Sequence, residues 1–238
     1  MSDRTPILVA EGLTRLYAET TGVEGLDLQV HAGEVLGLIG PNGGGKTTLL
    51  LLMAGLVVPG SGSVMVQGTS AHLLARQGAG KVGLITADHG LYPMLTGWEN
   101  LAFFGGLFGL GDAQVHERAD VLLERLQMAE HLARRVSTYS SGMMQKLSLC
   151  RALLMDPVLL LLDEPTANLD PVSALHIYAL LRERADRGLA VVWATHDLYA
   201  AEHVCDRVVS LNRRLGRQRS LEGERSVPRP GLLELYGE

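Results

Sequence analysis

A glycine-rich loop constrains this chain more than any other feature of its sequence: Gly40, Pro41, Asn42, Gly43, Gly44, Gly45, Lys46 and Thr47. The apolar run 35–39 precedes it and the apolar run 49–56 follows it, a pattern that predicts a strand, a loop and a helix. Glycines allow successive backbone N–H groups to point at one anion, and the positive end of the helix faces the same place. Lys46 adds a charge for the outer phosphates, and the Thr47 hydroxyl is suited to Mg²⁺. The loop therefore predicts a nucleoside triphosphate site.

Two carboxylates follow a second apolar run. Residues 158–162 are wholly apolar and lead into Asp163 and Glu164, which is typical of a buried parallel strand that ends in acidic side chains. Ligands of open α/β sheets bind at the carboxyl ends of the strands. There, Asp163 can orient the Mg²⁺ shell while Glu164 accepts a hydrogen bond from the attacking water. The alternative is that the pair only begins a surface turn before Pro165.

Candidate functional residues also stand at the end of a further predicted strand and at the start of a predicted helix. Residues 189–194 read as another buried strand, and His196 follows it, where an imidazole can contact the γ-phosphate or the attacking water. Ser140 and Gly142 precede an amphipathic helix, either as a plain N-cap or as a second anion site. One chain does not need two phosphate sites that face different ways. The second site therefore predicts two chains that face each other.

The composition indicates one folded unit that does not bind nucleic acid. The chain has 238 residues and a net charge of −5, with acidic and basic side chains mixed along most of its length. It therefore lacks the basic field that nucleic-acid binding requires. Residues 1–4 contain no apolar signal region, and no apolar stretch is long enough to cross a bilayer. Transport across a membrane would therefore need a separate membrane-spanning partner.

In this order the motifs resemble the ATP-binding cassette of ABC transporters, over about residues 7–211. The segments that match the family are the Walker A loop at 40–47, the signature loop at 139–143, the Walker B strand at 158–164, the D-loop at 167–170, the switch histidine at His196 and the adenine-stacking aromatic at Tyr17. The resemblance implies ATP and Mg²⁺ as cofactors, and ATP hydrolysis as the activity.

The resemblance also implies a fold. We expect an α/β P-loop NTPase core, RecA-like, with an N-terminal antiparallel β subdomain and an inserted α-helical subdomain. The whole chain, 1–238, is then a single ATPase domain: about 7–87 and 157–211 form the core with the β subdomain, about 88–156 the helical signature subdomain and 212–238 a tail. The tail region 213–229 contains six arginines, which favour a solvated terminus, or contact with anionic lipid headgroups or with an acidic loop of a partner.

The resemblance assigns a role to each candidate residue. Catalytic roles fall to Lys46, Glu164 and His196. Nucleotide contacts fall to Tyr17, to the loop from Gly40 through Thr48, and to Ser140 and Gly142. Metal contacts fall to Thr47 and Asp163.

Two departures from the family pattern affect these roles. In the signature loop, Ser141 replaces a glycine and Met143 replaces the glutamine, although Ser140 and Gly142 remain. After the strand predicted at 82–85, Ala87 occupies the region where the family has a glutamine that senses the metal and the γ-phosphate. Mg²⁺ prefers oxygen ligands, so Asp88, rather than its neighbour His89, is the expected replacement. Asp88 is therefore a third candidate metal ligand.

The family implies two partners and a location. These are a second ATP-binding subunit in a head-to-tail dimer, expected to be a homodimer, and a separate transmembrane permease that holds the chain at the cytoplasmic face of the membrane. Segment 90–101 resembles export-type cassettes for drugs, lipids or sodium. The aromatic residues Tyr92, Trp98, Phe103, Phe104 and Phe108 fit either core packing or a groove for the permease's coupling helix.

Two other classes of P-loop protein are less consistent with the sequence. A soluble ABC ATPase of DNA repair would insert a long coiled coil between its Walker motifs, and residues 48–158 have no sustained heptads. The translation type has two cassettes and basic linkers, whereas this chain has one cassette and is acidic. A P-loop kinase would leave the signature loop and His196 unexplained.

Overall fold

Two sheets and a set of helices make up the part of the chain described by a computed structural model, residues 5–18, 21–78, 80–167, 169–211 and 220–222. The strands are β1 (Pro6–Ala18), β2 (Thr21–His31), β3 (Val35–Ile39), β4 (Ser61–Val66), β5 (Thr69–Ser70), β6 (Val82–Ile85), β7 (Leu159–Asp163), β8 (Ala190–Ala194), β9 (Arg207–Ser210) and β10 (Ser220–Glu222). The helices are α1 (Lys46–Met53), α2 (Ala71–Gln77), α3 (Gly97–Leu107), α4 (Asp112–Arg125), α5 (Ser141–Leu153), α6 (Pro171–Asp186) and α7 (Leu198–His203), with short 3-10 helices at Ala129–His131 and Val136–Thr138.

The strands form the antiparallel and parallel sheets expected from the sequence. The N-terminal sheet has the order β2-β1-β4-β5 and is antiparallel. The second sheet has the order β10-β9-β3-β8-β7-β6, and all of its neighbours are parallel except β10 and β9. The predicted α/β P-loop NTPase fold is therefore confirmed.

The central strands bring three predicted segments to one edge. β3, β7 and β8 are short apolar runs that are buried on both faces, as parallel strands between helices are. β8 lies between β3 and β7, and Asp163 pairs in register with Ala194. Because parallel strands end at the same edge, the glycine loop, the carboxylates and the loop after β8 meet there.

The parallel sheet separates two hydrophobic clusters. On β7, Leu159 and Leu161 face a cluster that contains α1 and the antiparallel sheet, whereas Leu160 and Leu162 face a cluster that contains α3 to α6. This alternation follows from the two-residue period of a strand. The helices between β6 and β7 pack on one face of the sheet only.

Local signals define the ends of these helices. At α3, Thr96 and Glu99 form a reciprocal capping box. At α6, Asp170 caps the helix with Pro171 in its first turn, as the sequence predicts. None of the helices in the described ranges combines the length and hydropathy needed to cross a bilayer. Most of the arginine-rich segment, and all of 223–238, lie outside the described residues.

Candidate nucleotide site

A cleft of about 310 Å³ opens at the carboxyl edge of the parallel sheet. It is lined by Gly22, Asn42, Gly43, Gly44, Gly45, Lys46, Thr47, Thr48, Ala87, Asp163 and Glu164. Most of these residues belong to the glycine loop, and the two carboxylates lie at the end of β7. The predicted triphosphate loop and the predicted acidic pair thus share one cavity.

The loop can take its path only with glycine at two positions. Gly40 has φ of 148°, and a Cβ there would lie 2.3 Å from the Leu211 carbonyl oxygen. Gly45 has φ of 94°, and a Cβ there would lie 2.5 Å from the Gly22 carbonyl oxygen. At each position the positive φ and the short contact together exclude a residue with a side chain. The backbone therefore approaches other segments closely enough to shape the cleft around the start of α1.

Lys46 is held inside the loop. Its Nζ donates hydrogen bonds to the carbonyl oxygens of Gly40 at 2.7 Å and Pro41 at 3.3 Å. Burial lowers the pKa of the Lys46 ammonium, while the charges of Glu164 and Asp163 oppose that shift. A phosphate group would add a negative charge beside this ammonium, and it would compete with the two carbonyls for its protons.

Thr47 and Asp163 form the other wall. The Thr47 hydroxyl donates to Asp163 Oδ2 at 2.6 Å. Burial raises the pKa of the Asp163 carboxyl and the Glu164 charge raises it further, whereas the Thr47 hydrogen bond and Lys46 lower it. A divalent cation would compensate the two carboxylates. Within the described residues, no cluster of three His, Cys, Asp or Glu side chains could hold a metal without other ligands. The site therefore fits Mg²⁺, which binds through one or two carboxylates plus phosphate oxygens.

Glu164 lines the cleft and pairs with His196, which does not itself line it. His196 Nδ1 lies 2.9 Å from Glu164 Oε1, and the His196 backbone N–H donates to Glu164 Oε2 at 3.3 Å. A carboxylate only accepts, so Nδ1 carries the proton. Glu164 has φ of 50°, in the left-handed region, and its own N–H donates to the Ala194 carbonyl at 2.9 Å. Backbone strain of this kind is concentrated at functional sites.

The comparisons with known proteins identify the family. The family model described as "ABC transporter" matches residues 23–167. The chain is 34% identical to the linearmycin resistance ATP-binding protein LnrL of Bacillus subtilis strain 168, over 85% of this chain and 65% of LnrL. It is 36% identical to the Nod factor export ATP-binding protein I of Cupriavidus metallidurans strain CH34, over 98% of this chain and 78% of that protein. The chain belongs to the ABC transporter family.

A solved structure extends the match to the fold. The structure of an ATP-binding subunit of an ABC transporter superposes with a TM-score of 0.85 at 28% identity, and the match covers 96% of this chain and 99% of the other. The chain is therefore an ABC ATPase, a subunit that binds and hydrolyses ATP. The matched range 23–167 includes the glycine loop and the end of β7, the two segments that line the cleft.

Tyr17, Ser140 and Gly142, which were predicted to contact the nucleotide, do not line the cleft of their own chain. Ser140 is exposed and caps α5, where its Oγ accepts the Met143 N–H at 3.2 Å. Gly142 lies against the loop before α6, since a Cβ there would lie 3.3 Å from Leu169 Cδ2. Tyr17 is 54% exposed, and its ring lies beneath the Arg15 guanidinium. The structure does not bring these residues together with the cleft.

The structure also shows where the segment lies in which the family has its glutamine. Ala87 lines the cleft, but Asp88 does not. The Asp88 carboxylate instead accepts a hydrogen bond from the Thr86 hydroxyl. The carbonyl oxygen of the neighbouring His89 accepts two hydrogen bonds from α5, one from the Ser148 hydroxyl at 2.7 Å and one from the Arg151 guanidinium at 3.4 Å. The metal-ligand role of Asp88 therefore stays a prediction, and this geometry does not support it.

The sequence did not point to Gly22 as a lining residue, and no local signal marks it. Gly22 lies in β2, in the other sheet, and it reaches the cleft only because the two sheets pack together. Arg151 was also missed. Its guanidinium reaches the Leu84 carbonyl at 3.2 Å and lies 4.9 Å from the centre of the Phe104 ring, so it joins α5 to α3 and to β6.

We expect Asp88→Ala to leave the Mg²⁺ concentration for half-maximal ATP hydrolysis unchanged within about twofold, because Asp88 is bonded within its own loop. The measurement is a Mg²⁺ titration of ATPase rate for the wild type and the variant. Asp163→Ala serves as the positive control and should raise the requirement. A several-fold increase in Asp88→Ala as well would restore the ligand role.

Proposed function

We propose that this chain is the ATP-hydrolysing subunit of an ABC exporter, and that it drives a separate membrane-spanning permease. The observation that carries the proposal is a single cleft lined by the glycine loop, the Thr47–Asp163 contact and Glu164, with His196 paired to Glu164. We propose export as the direction of transport because one relative is named for Nod factor export and another for linearmycin resistance.

The chemistry assigned to the site uses each side chain for one task. Lys46 and the loop N–H groups hold the outer phosphates. Thr47 and Asp163 hold Mg²⁺, which when bound offsets charge on the phosphates. Glu164 accepts a proton or hydrogen bond from the attacking water. His196 donates through Nδ1 to Glu164, so its Nε2 accepts a hydrogen bond from the attacking water when the ring is neutral, and donates to the γ-phosphate only when the ring is protonated.

A head-to-tail homodimer would complete the site. Ser140 and Gly142 lie outside the cleft of their own chain, and an exposed helix N-terminus of this kind suits an anion supplied by another subunit. The second subunit would bring its Ser140 and Gly142 to the phosphates held by Lys46. Tyr17 is exposed and available to stack on the adenine.

An aromatic surface is the proposed contact for the permease. Tyr92 packs on Phe103 and Phe104 with ring centres 5.0 and 5.8 Å apart, and the two phenylalanines are 5.3 Å apart. Tyr92 and Phe103 are nonetheless 48% and 42% exposed, and the neighbouring Phe108 is 41% exposed. Packing thus accounts for part of the cluster, and the remainder suits an amphipathic helix. Trp98 is stacked on His116 instead.

This arrangement supports the proposed division of the chain. About 7–87 and 157–211 form the core with its β subdomain, and about 88–156 form the helical subdomain that carries both α5 and the aromatic surface. The permease would then hold the chain at the cytoplasmic face of the membrane.

A co-purification experiment tests the permease. We expect the tagged wild-type chain, extracted from native membranes in mild detergent, to bring down one multi-span protein that stimulates its ATPase activity after reconstitution. Phe103→Asp should lose most of this partner, because a charge would replace an exposed apolar contact. Val121→Asp is the matched control, since Val121 is 53% exposed on α4. Equal recovery with both variants, or no stimulation by the captured protein, would contradict the proposed docking surface.

A further inference from the structure

One face of α5 holds the segment 86–90 just before its start and near its end. The Arg151 guanidinium donates to the Leu84 carbonyl at 3.2 Å, in the strand that leads into the segment. Three residues earlier on α5, the buried Ser148 hydroxyl donates to the His89 carbonyl at 2.7 Å. Residues three apart lie on the same face of a helix, so both bonds come from one face of α5. The path of the segment therefore depends on α5.

The held conformation of this segment is strained. His89 has φ of 60°, in the left-handed region that residues other than glycine rarely adopt. Such a conformation persists where the surrounding structure imposes it, and here the bond from Ser148 does so. The next residue, Gly90, packs on the guanidinium, since a Cβ there would lie 3.3 Å from Arg151 Nη2. A segment released by α5 would therefore relax to a different path.

Arg151 also contacts the aromatic surface that we propose for the permease. Its guanidinium carbon lies 4.9 Å from the centre of the Phe104 ring, within the range of a cation–π interaction. Phe104 in turn packs on Phe103 and Tyr92. A cavity of about 70 Å³ lies beside Phe104, Phe108 and Arg151, so these side chains border free space. A displacement of the rings would therefore reach Arg151 directly.

The segment held by α5 also reaches the nucleotide cleft. Ala87 lies inside the segment and lines the cleft. Its methyl group can contact neither a metal ion nor the γ-phosphate as a glutamine would. A signal between the permease and the cleft therefore needs another carrier in this chain, and the backbone of the segment is in place to be that carrier.

We propose that Arg151 is a positioning residue that couples the permease surface to the cleft: it contacts Phe104 on one side and holds the segment 86–90 on the other. The inference rests on the proposed function, because it needs a permease at the aromatic surface. Coupling between two sites requires an element with two arrangements. The strained segment supplies one, since it is either held by α5 or relaxed.

Arg151→Met removes the charge and the hydrogen bonds but keeps the length of the side chain. We expect the stimulation of ATP hydrolysis by the captured permease to fall about fivefold or more, a typical size for coupling between sites. The basal rate should stay within about twofold of wild type, and recovery of the permease should be unchanged. Arg118→Met is the matched control, because Arg118 lies on α4 and also donates to a backbone carbonyl, that of Leu154 at 3.2 Å.

Hydrogen exchange on the purified chain tests the hold on the segment without a permease. Amide exchange in 86–90 should be faster in Arg151→Met and in Ser148→Ala than in the wild type or in Arg118→Met, because each of the first two loses a bond to the segment. Thermal midpoints are measured for all variants, so that global unfolding is accounted for. Unchanged exchange in both variants would overturn the inference.

Ser148→Ala should also reduce the permease stimulation, because it releases His89 while leaving the Arg151–Phe104 contact intact. Wild-type stimulation in Arg151→Met would overturn the inference. So would an equal loss of permease recovery and of stimulation, which would make Arg151 part of the docking surface alone. If the wild-type chain recovers no permease that stimulates it, the proposed function fails instead, so the two failures are distinguishable.

Discussion

Replacing Glu164 with glutamine is expected to slow ATP hydrolysis by about a hundredfold or more, while ATP still binds. The amide has the size of the carboxylate and can accept from His196 Nδ1, but it cannot take a proton from water. The unchanged Lys46 and Thr47 would continue to hold the phosphates. ATP-bound subunits should therefore accumulate as dimers, which size-exclusion chromatography with ATP and Mg²⁺ would detect.

Glu183→Gln provides the control for this experiment. Glu183 and Glu164 have similar side-chain exposure, 28% and 23%, and Glu183, which pairs with Arg187, does not line the cleft. Its substitution should leave the turnover unchanged. If Glu164→Gln hydrolyses ATP at the wild-type rate, Glu164 is not the residue that acts on water.

Complementation between two inactive chains is expected to restore hydrolysis if the nucleotide site is shared between subunits. A dimer of one Ser140→Arg chain and one Lys46→Ala chain has both lesions in one shared site and an intact second site. Each homodimer has both sites damaged, so its activity should be close to background. Differently tagged chains, purified in tandem and assayed for ATP hydrolysis, give the measurement.

The reversed arrangement is the control. A chain with both substitutions, paired with a wild-type chain, would leave neither shared site intact, so this dimer should be inactive. If each chain used its own Ser140, the result would be opposite: the reversed dimer would be active and the complementing dimer inactive. Full activity in the Ser140→Arg homodimer would remove the signature loop from the mechanism.

The sequence predicted those parts of the fold that depend on local patterns. The run 35–39 is β3, and the runs 158–162 and 189–194 match β7 and β8 to within one residue. Short apolar runs between polar boundaries identify buried strands without further information. Motif spacing then placed Lys46, Asp163 and Glu164 at one edge, because parallel strands end together.

Other parts of the site depend on packing between distant segments. Asp88 was predicted as a metal ligand from the oxygen chemistry of Mg²⁺, but the direction of its side chain depends on the path of its loop. That path is fixed by Ser148 and Arg151, some 60 residues away.

The left-handed backbone of Glu164 places stability and activity in opposition at one position. A residue with a Cβ costs about 1–2 kcal/mol in this region, whereas glycine enters it freely. Substitution by glycine would relieve that local cost and remove the carboxylate that we propose acts on the attacking water. Selection for thermal stability alone would therefore favour an inactive chain at this position, and selection for turnover would retain the strained one.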